Sequence, residues 1–176
     1  YPSLQNLVED ATLVDPPGQL QRAGRVQRMC GQAAGAHWAM LPHTAGFIDP
    51  LHSTGIAHTL SGIERLAVIL DQLWESDQRA DALQGYHETL MQELSMIDRL
   101  VYGCYRTLDD FPRFVSYSML YFVAAIRYEQ NRLDPAQKSH QSAFLGADDA
   151  DWNQTVDQIL QRLEAGVERG ENCCHE

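Results

Sequence analysis

Residues Ala45–Leu66 read AGFIDPLHSTGIAHTLSGIERL, and the pattern changes partway through them. Up to Pro50 the residues are apolar and softened by Gly46, as in an extended segment entering a core. From Ile56 the apolar positions recur at spacings of three and four. The stripe Ile56, Leu60, Ile63, Ala67, Leu70 and Trp74, widened by Leu66, Ile69 and Leu73, predicts a helix with Glu64, Arg65, Asp71 and Glu75 on its other side. Between the two patterns, Ser53 or Thr54 is placed to cap that helix. Free amides of its first turn would then stand at the positive end of the helix dipole, which favours a nearby anion by roughly 0.3–1 kcal/mol. Gly55 has no side chain to hold a ligand off, and Asp49-Pro50 stiffens the approach. Read alone, Ser-Thr-Gly is simply a good helix start; with its flanks it reads as a backbone-lined cradle for a polar or anionic group.

Working outward, a second helix is predicted from about Arg79 to Leu108, with Leu83, Leu90, Leu94, Ile97, Val101, Cys104 and Leu108 on one face. Asp109-Asp110-Phe111-Pro112 suits a helix start, and the following Phe114–Tyr128 is apolar nearly all round, which predicts a place at the centre of a bundle. Tyr117 and Tyr121, one turn apart, are the aromatic residues expected to keep a hydroxyl toward a substrate pocket. A polar, turn-rich stretch covers residues 131–151. Trp152, Val156, Ile159, Leu160, Leu163 and Val167 then form a last amphipathic helix before the tail GENCCHE. Upstream, a short helix through Leu4, Leu7 and Val8 and short strands at 24–29 and 38–41 flank the breaker Asp15-Pro16-Pro17-Gly18. So few short strands make no self-sufficient sheet. The expected organisation is a strand-and-loop segment over 1–50 and a mainly α, bundle-like helical domain over 51–176. Apolar surface left open along the first segment would promote self-association.

The chain has 176 residues with 24 acidic and 13 basic side chains, a formal charge of −11. A surface that acidic repels phosphate backbones, so nucleic acid is not an expected partner. No run of about 18 apolar residues marks a membrane span, and no secretory leader is evident, so a cytoplasmic protein is expected. Cys30, Cys104, Cys173 and Cys174 form no CxxC pair or disulfide framework, which fits a reducing compartment. His37, His43, His52 and His58 do not fall at i, i+4 spacing, and no metal site is expected. Asp49, His52 and Ser53 lack the GxSxG context of a hydrolase triad.

The run HWAMLPHTAGFIDPLHSTGIAHTLSGIERL, His37–Leu66, resembles the signature of FAD-dependent oxidoreductases of the flavin-dependent halogenase and monooxygenase-like group, roughly A-G-F-(I/V)-D-P-x-x-S-(S/T)-G followed by a long helix. Weaker similarity extends to YPSLQNLVEDA and GRVQRMCGQAAG before it and DFPRFVSYSMLYFVAA after it. The resemblance implies that Ala45–Pro50 runs past a flavin and that Ser53, Thr54 and Gly55 present backbone amides to its edge or to a halide held there. The implied FAD contacts are Gly46, Asp49, Pro50, Ser53, Thr54 and Gly55. The family's Gly-Asp pair ahead of this run corresponds here to Pro42 and His43. No GxGxxG fingerprint follows a strand, and the one lysine, Lys138, matches no halogen-carrying position. No catalytic residue is assigned.

These features imply the C-terminal part of a larger α/β flavoprotein, without activity alone. Such a part would serve a small-molecule substrate and need an N-terminal FAD-binding region or a partner chain. The alternative is a stand-alone helical interaction module that keeps the motif without using it.

Overall fold

A computed structural model describes residues 5–6, 9–12, 24, 26–133 and 142–171, with side chains through residue 165. The helix expected around Leu4, Leu7 and Val8, the breaker at 15–18, Lys138 and the tail from residue 172 lie outside them. Two antiparallel pairs of two-residue strands open the fold. β1 (Arg28–Met29) pairs with β4 (Gly46–Phe47), setting Arg28 opposite Phe47, and β2 (Ala34–Gly35) pairs with β3 (Trp38–Ala39). Between β3 and β4 lies the four-residue helix α1 (Pro42–Ala45), whose proline sits where no helical N–H is needed. These short pieces are tied to the helical body. Tyr86 donates to the Met40 carbonyl at 2.7 Å, and the Ala33 N–H donates to His87 Nδ1 at 3.1 Å.

The rest is helical: α2 (Gly55–Val68), running into a π turn at Ile69–Leu73, then α3 (Arg79–Arg106), α4 (Phe111–Leu133), a 3-10 turn at Phe144–Gly146 and α5 (Ala150–Glu171). The mainly α fold with a short strand-and-loop lead is the one the periodicity predicts. No helix among the described residues is long and apolar enough to cross a membrane.

The centre of the fold is α3, not the Phe114–Tyr128 segment. Leu83, Leu90, Leu94, Ile97, Val101 and Cys104 form its buried stripe, and Glu93, Met96 and Leu100 bury a second face. It needs both faces because it packs against β2 and β3 as well as against α4, α5 and the 3-10 turn. In α4 only Tyr117, Ser118, Ala124 and Tyr128 are buried, while Phe111, Val115, Met119, Phe122 and Ile126 are exposed. The helix reads as apolar all round because one face meets this core and the other meets solvent.

The orientation of α2 also departs from expectation. Its buried residues are His58, Ser61, Gly62 and Arg65, continued by Ile69, while Ile56 is 78% and Leu60 54% exposed, with Ile63 and Leu70 also outside. The apolar stripe faces out and a polar stripe faces in. Gly62 permits this docking, since a Cβ there would fall 2.4 Å from Pro42 Cγ of α1.

The inward polar stripe is satisfied by Glu93, which is completely buried in α3. One carboxylate oxygen, Oε2, accepts from His58 Nε2 and from Arg65 Nη1, each at 3.0 Å. Oε1 accepts from Arg65 Nη2 and, at 2.6 Å, from the Phe144 N–H. Arg65 also donates to Ser61 Oγ at 3.0 Å, and Ser61 in turn accepts from the Tyr128 hydroxyl at 2.7 Å. One buried anion therefore ties together α2, α3 and the 3-10 turn, and α4 joins through Tyr128. Burial by itself would raise the Glu93 pKa. The hydrogen bonds from His58 and Arg65, with the Arg65 charge, outweigh it and hold the carboxyl below its ordinary range.

Two consequences are measurable. Replacing Glu93 by glutamine keeps the volume but leaves Arg65 unpaired in the interior, so Glu93→Gln should cost about 3–5 kcal/mol in denaturant unfolding. Because the folded-state pKa is depressed, the carboxylate stabilises the fold above the unfolded value of about 4.3 and loses that contribution as the pH falls through the folded value. The thermal midpoint of the parent should therefore fall more steeply with acidification in that range than that of Glu93→Gln; parallel curves would contradict the assignment. At the α3–α4 contact, a Cβ on Gly103 would lie 2.1 Å from Tyr117 Cζ. Gly103→Ala should therefore destabilise by at least about 1–3 kcal/mol and displace the Tyr117 ring, measurable as a lowered denaturation midpoint.

Candidate functional site

The segment from Gly46 to Gly55 connects the β1–β4 pair to α2. Ile48 is its buried anchor. Asp49 shapes the bend beyond it: its Oδ1 accepts from the Leu51 N–H at 2.8 Å, and its Oδ2 accepts from the Tyr105 hydroxyl of α3 at 2.9 Å. The first bond is the local turn an aspartate makes with a backbone two residues on, and the second fixes that turn to the body. Pro50 then closes a tight bend, its carbonyl accepting from the Ser53 N–H at 2.9 Å.

The bend places Ser53 at φ 54°, in the left-handed region that a residue with a side chain seldom occupies. Thr54 comes next at φ −66° and ψ −23°, already helical, and its carbonyl accepts from the His58 N–H at 2.9 Å. Neither hydroxyl caps the helix. A side-chain cap needs an extended backbone at the capping residue to aim its oxygen back at the first-turn amides, and here one candidate is left-handed and the other helical. The expected Ser53 or Thr54 cap is therefore absent, although the helix does begin at Gly55.

Over this segment lies an open cavity of about 560 Å³. Gly46, Asp49, Pro50, Ser53, Thr54 and Gly55 all line it, so the structure brings the six sequence-selected positions together. Phe47, Ile48, Ile56, Leu60, Leu94 and Ile97 supply an apolar lining, and His43 and His58 add imidazoles. His43 stands edge-on to Phe47, with ring centroids 5.3 Å apart. A largely apolar cleft with a few polar groups beside bare backbone suits a planar organic ligand with one polar edge.

Tyr117 and Tyr121 do not line this cavity. Tyr117 is buried, donating to the Arg99 carbonyl at 3.1 Å. Tyr121 stacks flat on His52, with centroids 4.3 Å apart and planes 5° from parallel. His52 Nε2 in turn lies 3.4 Å from Cys104 Sγ, which lies 3.4 Å from Ser118 Oγ. Burial pushes the His52 pKa down, with Asp49 opposing, and burial pushes the Cys104 thiol up, with the Ser118 hydrogen bond opposing. A protonated thiol beside a neutral imidazole is a packing contact and not an activated nucleophile. The pair clamps the crest of the loop to α3 and α4.

Sequence reasoning missed His58, Arg65 and Glu93, of which His58 lines the cavity. A signal for them existed. His58, Ser61 and Arg65 share one helical face, and Glu93 sits beside Leu90, Leu94 and Ile97 within a core stripe. Among the described residues no three His, Cys, Asp or Glu side chains converge as metal ligands.

No protein-family model matches the chain. It is 28% identical over 127 residues to tetracycline 7-halogenase of Kitasatospora aureofaciens and 29% identical over 127 residues to monodechloroaminopyrrolnitrin halogenase PrnC of Pseudomonas fluorescens. Each match covers 72% of this chain and 22% of the relative. The fold matches crystal structures of the halogenase PltM, one of them of a mutant in complex with FAD, with a TM-score of 0.68 and 19% identity over 84% of this chain and 33% of PltM. The chain thus spans only about a fifth to a third of the length of the proteins it matches. In sequence and in fold it is similar to a portion of the flavin-dependent halogenases.

Proposed function

We propose that this chain is the C-terminal, substrate-side portion of an FAD-dependent oxidoreductase of the halogenase and monooxygenase-like kind, and that it is inactive by itself. The observation that carries the reading is the outward apolar stripe of α2, beside the cavity. A helix that turns Ile56, Leu60, Ile63 and Leu70 to solvent, next to a second helix exposing Val115, Met119 and Ile126, is what remains when a larger apolar contact lacks its other half. Relatives of which the matched portion is a third or less have the additional chain to supply such a half.

The cavity fits the ring end of the cofactor. Its apolar lining suits the faces of an isoalloxazine, and Gly46, Asp49, Pro50, Ser53, Thr54 and Gly55 would stand along the ring's polar edge. When bound, FAD supplies the redox chemistry. The chain's own residues would hold the ring edge and exclude water from one side. Tyr121, held against His52, belongs to the substrate side of the loop in this reading. No glycine-rich turn after a strand is present in the sequence to receive the pyrophosphate, so that grip falls to the region or partner chain that completes the protein.

The stand-alone helical module accounts for the closed core around α3 but leaves the two outward apolar faces without a purpose. The readings separate in titration. The isolated chain should bind FAD no more tightly than lumiflavin, which has the ring alone, and should not accelerate the reoxidation of reduced flavin by dioxygen; stoichiometric FAD binding with a full spectral change would overturn the proposal. On the exposed face of α4, Met119→Gln and Ile126→Gln should each change stability by less than about 0.5 kcal/mol while lowering self-association and binding of an apolar dye. Sedimentation and dye fluorescence check this, and unchanged self-association would argue against a missing covering half.

A further inference from the structure

The cavity wall contains one side chain whose hydrogen bonding is fixed from behind. His58 is 4% exposed, and its Nε2 lies 3.0 Å from Glu93 Oε2. Phe144 stacks over the imidazole with centroids 5.1 Å apart, so the ring is set in rotation as well as in position. Glu93, engaged by Arg65 and the Phe144 N–H, is a carboxylate that only accepts hydrogen bonds. The hydrogen between His58 and Glu93 must therefore sit on Nε2. In the neutral imidazole the other nitrogen, Nδ1, then carries a lone pair and accepts. Among the described residues Nε2 is the ring nitrogen with a hydrogen-bond partner, while His58 also lines the cavity.

We propose that His58 Nδ1 accepts a hydrogen bond from an N–H or O–H on the edge of a planar heteroaromatic ligand in this cavity, and so selects which edge enters. Glu93 and Arg65 are positioning residues that hold the tautomer. The inference rests on the reading of the cavity as a ring site and adds to it a donor requirement: a ring with an imide N–H is accepted, and the same ring without that hydrogen is not.

Lumiflavin and its N3-methyl derivative test the requirement on the unsubstituted chain. Monitored by NMR shifts of the cavity residues at millimolar probe, lumiflavin should bind about five- to tenfold more tightly, the range of one hydrogen bond. In His58→Leu, similar in size but without an acceptor, the two affinities should converge. Equal affinities in the parent chain, or a preference that survives in His58→Leu and so comes from shape, would overturn the role of His58 while leaving the ring site standing. Perturbation by neither probe would overturn the ring site itself. Nitrogen-15 spectra of the histidines give a readout independent of the variant's folding. The Nδ1 resonance of His58 should move with lumiflavin and stay in place with the methylated probe; if it stays in place with both, the proposal fails.

Discussion

A buried carboxylate inside a helical body is unfavourable unless every lone pair is used, and this fold is organised around Glu93 being used fully. Its partners come from α2 and from the turn after α4, and the Tyr128–Ser61 bond extends the connection to α4 itself. The network explains why α2 docks with its polar side inward. A guanidinium and an imidazole on one helical face have a counter-charge to meet, whereas the leucines and isoleucines opposite find nothing within the described core. Satisfying the anion determines which face of α2 is inside, and that choice leaves the apolar stripe outside.

The same docking builds the cavity. With His58 drawn inward, the start of α2 brings Gly55, Ile56 and Leu60 to line the cleft together with Asp49 and Pro50. The bend is held by Tyr105 on one side and by the His52–Cys104 contact on the other, so bare backbone is displayed on a rigid support. The left-handed Ser53 is tolerated because hydrogen bonds on either side of it fix the chain path.

Much of this is legible in the sequence. The α3 stripe from Leu83 to Cys104 is readable because apolar period and burial coincide there, and the cavity loop is readable because its six marker residues are neighbours in the chain. The orientation of α2 is not, since periodicity reveals a stripe but not what will cover it; a stripe left exposed looks the same as a core stripe. The helix cap misleads because Ser53 and Thr54 have capping side chains but not capping dihedrals. Arg65, 28 residues from Glu93, reads as a solvated charge for want of any local sign of its partner. The Phe114–Tyr128 segment misleads for a related reason, as its hydrophobicity on two sides is matched by burial on only one, at Tyr117, Ser118, Ala124 and Tyr128.

The bond from the Phe144 N–H to Glu93 joins residues 51 positions apart and has a consequence for the order in which the protein folds as it is made. When α2 and α3 have left the ribosome, the central carboxylate has His58 and Arg65 but still lacks the donor that completes its shell. Local pairing of these two helices is therefore a provisional state, and the interior closes only after the chain has emerged beyond Phe144. Synthesis halted before that residue leaves a helical pair with a charged, incompletely satisfied interior and apolar outer faces, a species suited to capture by chaperones or proteases.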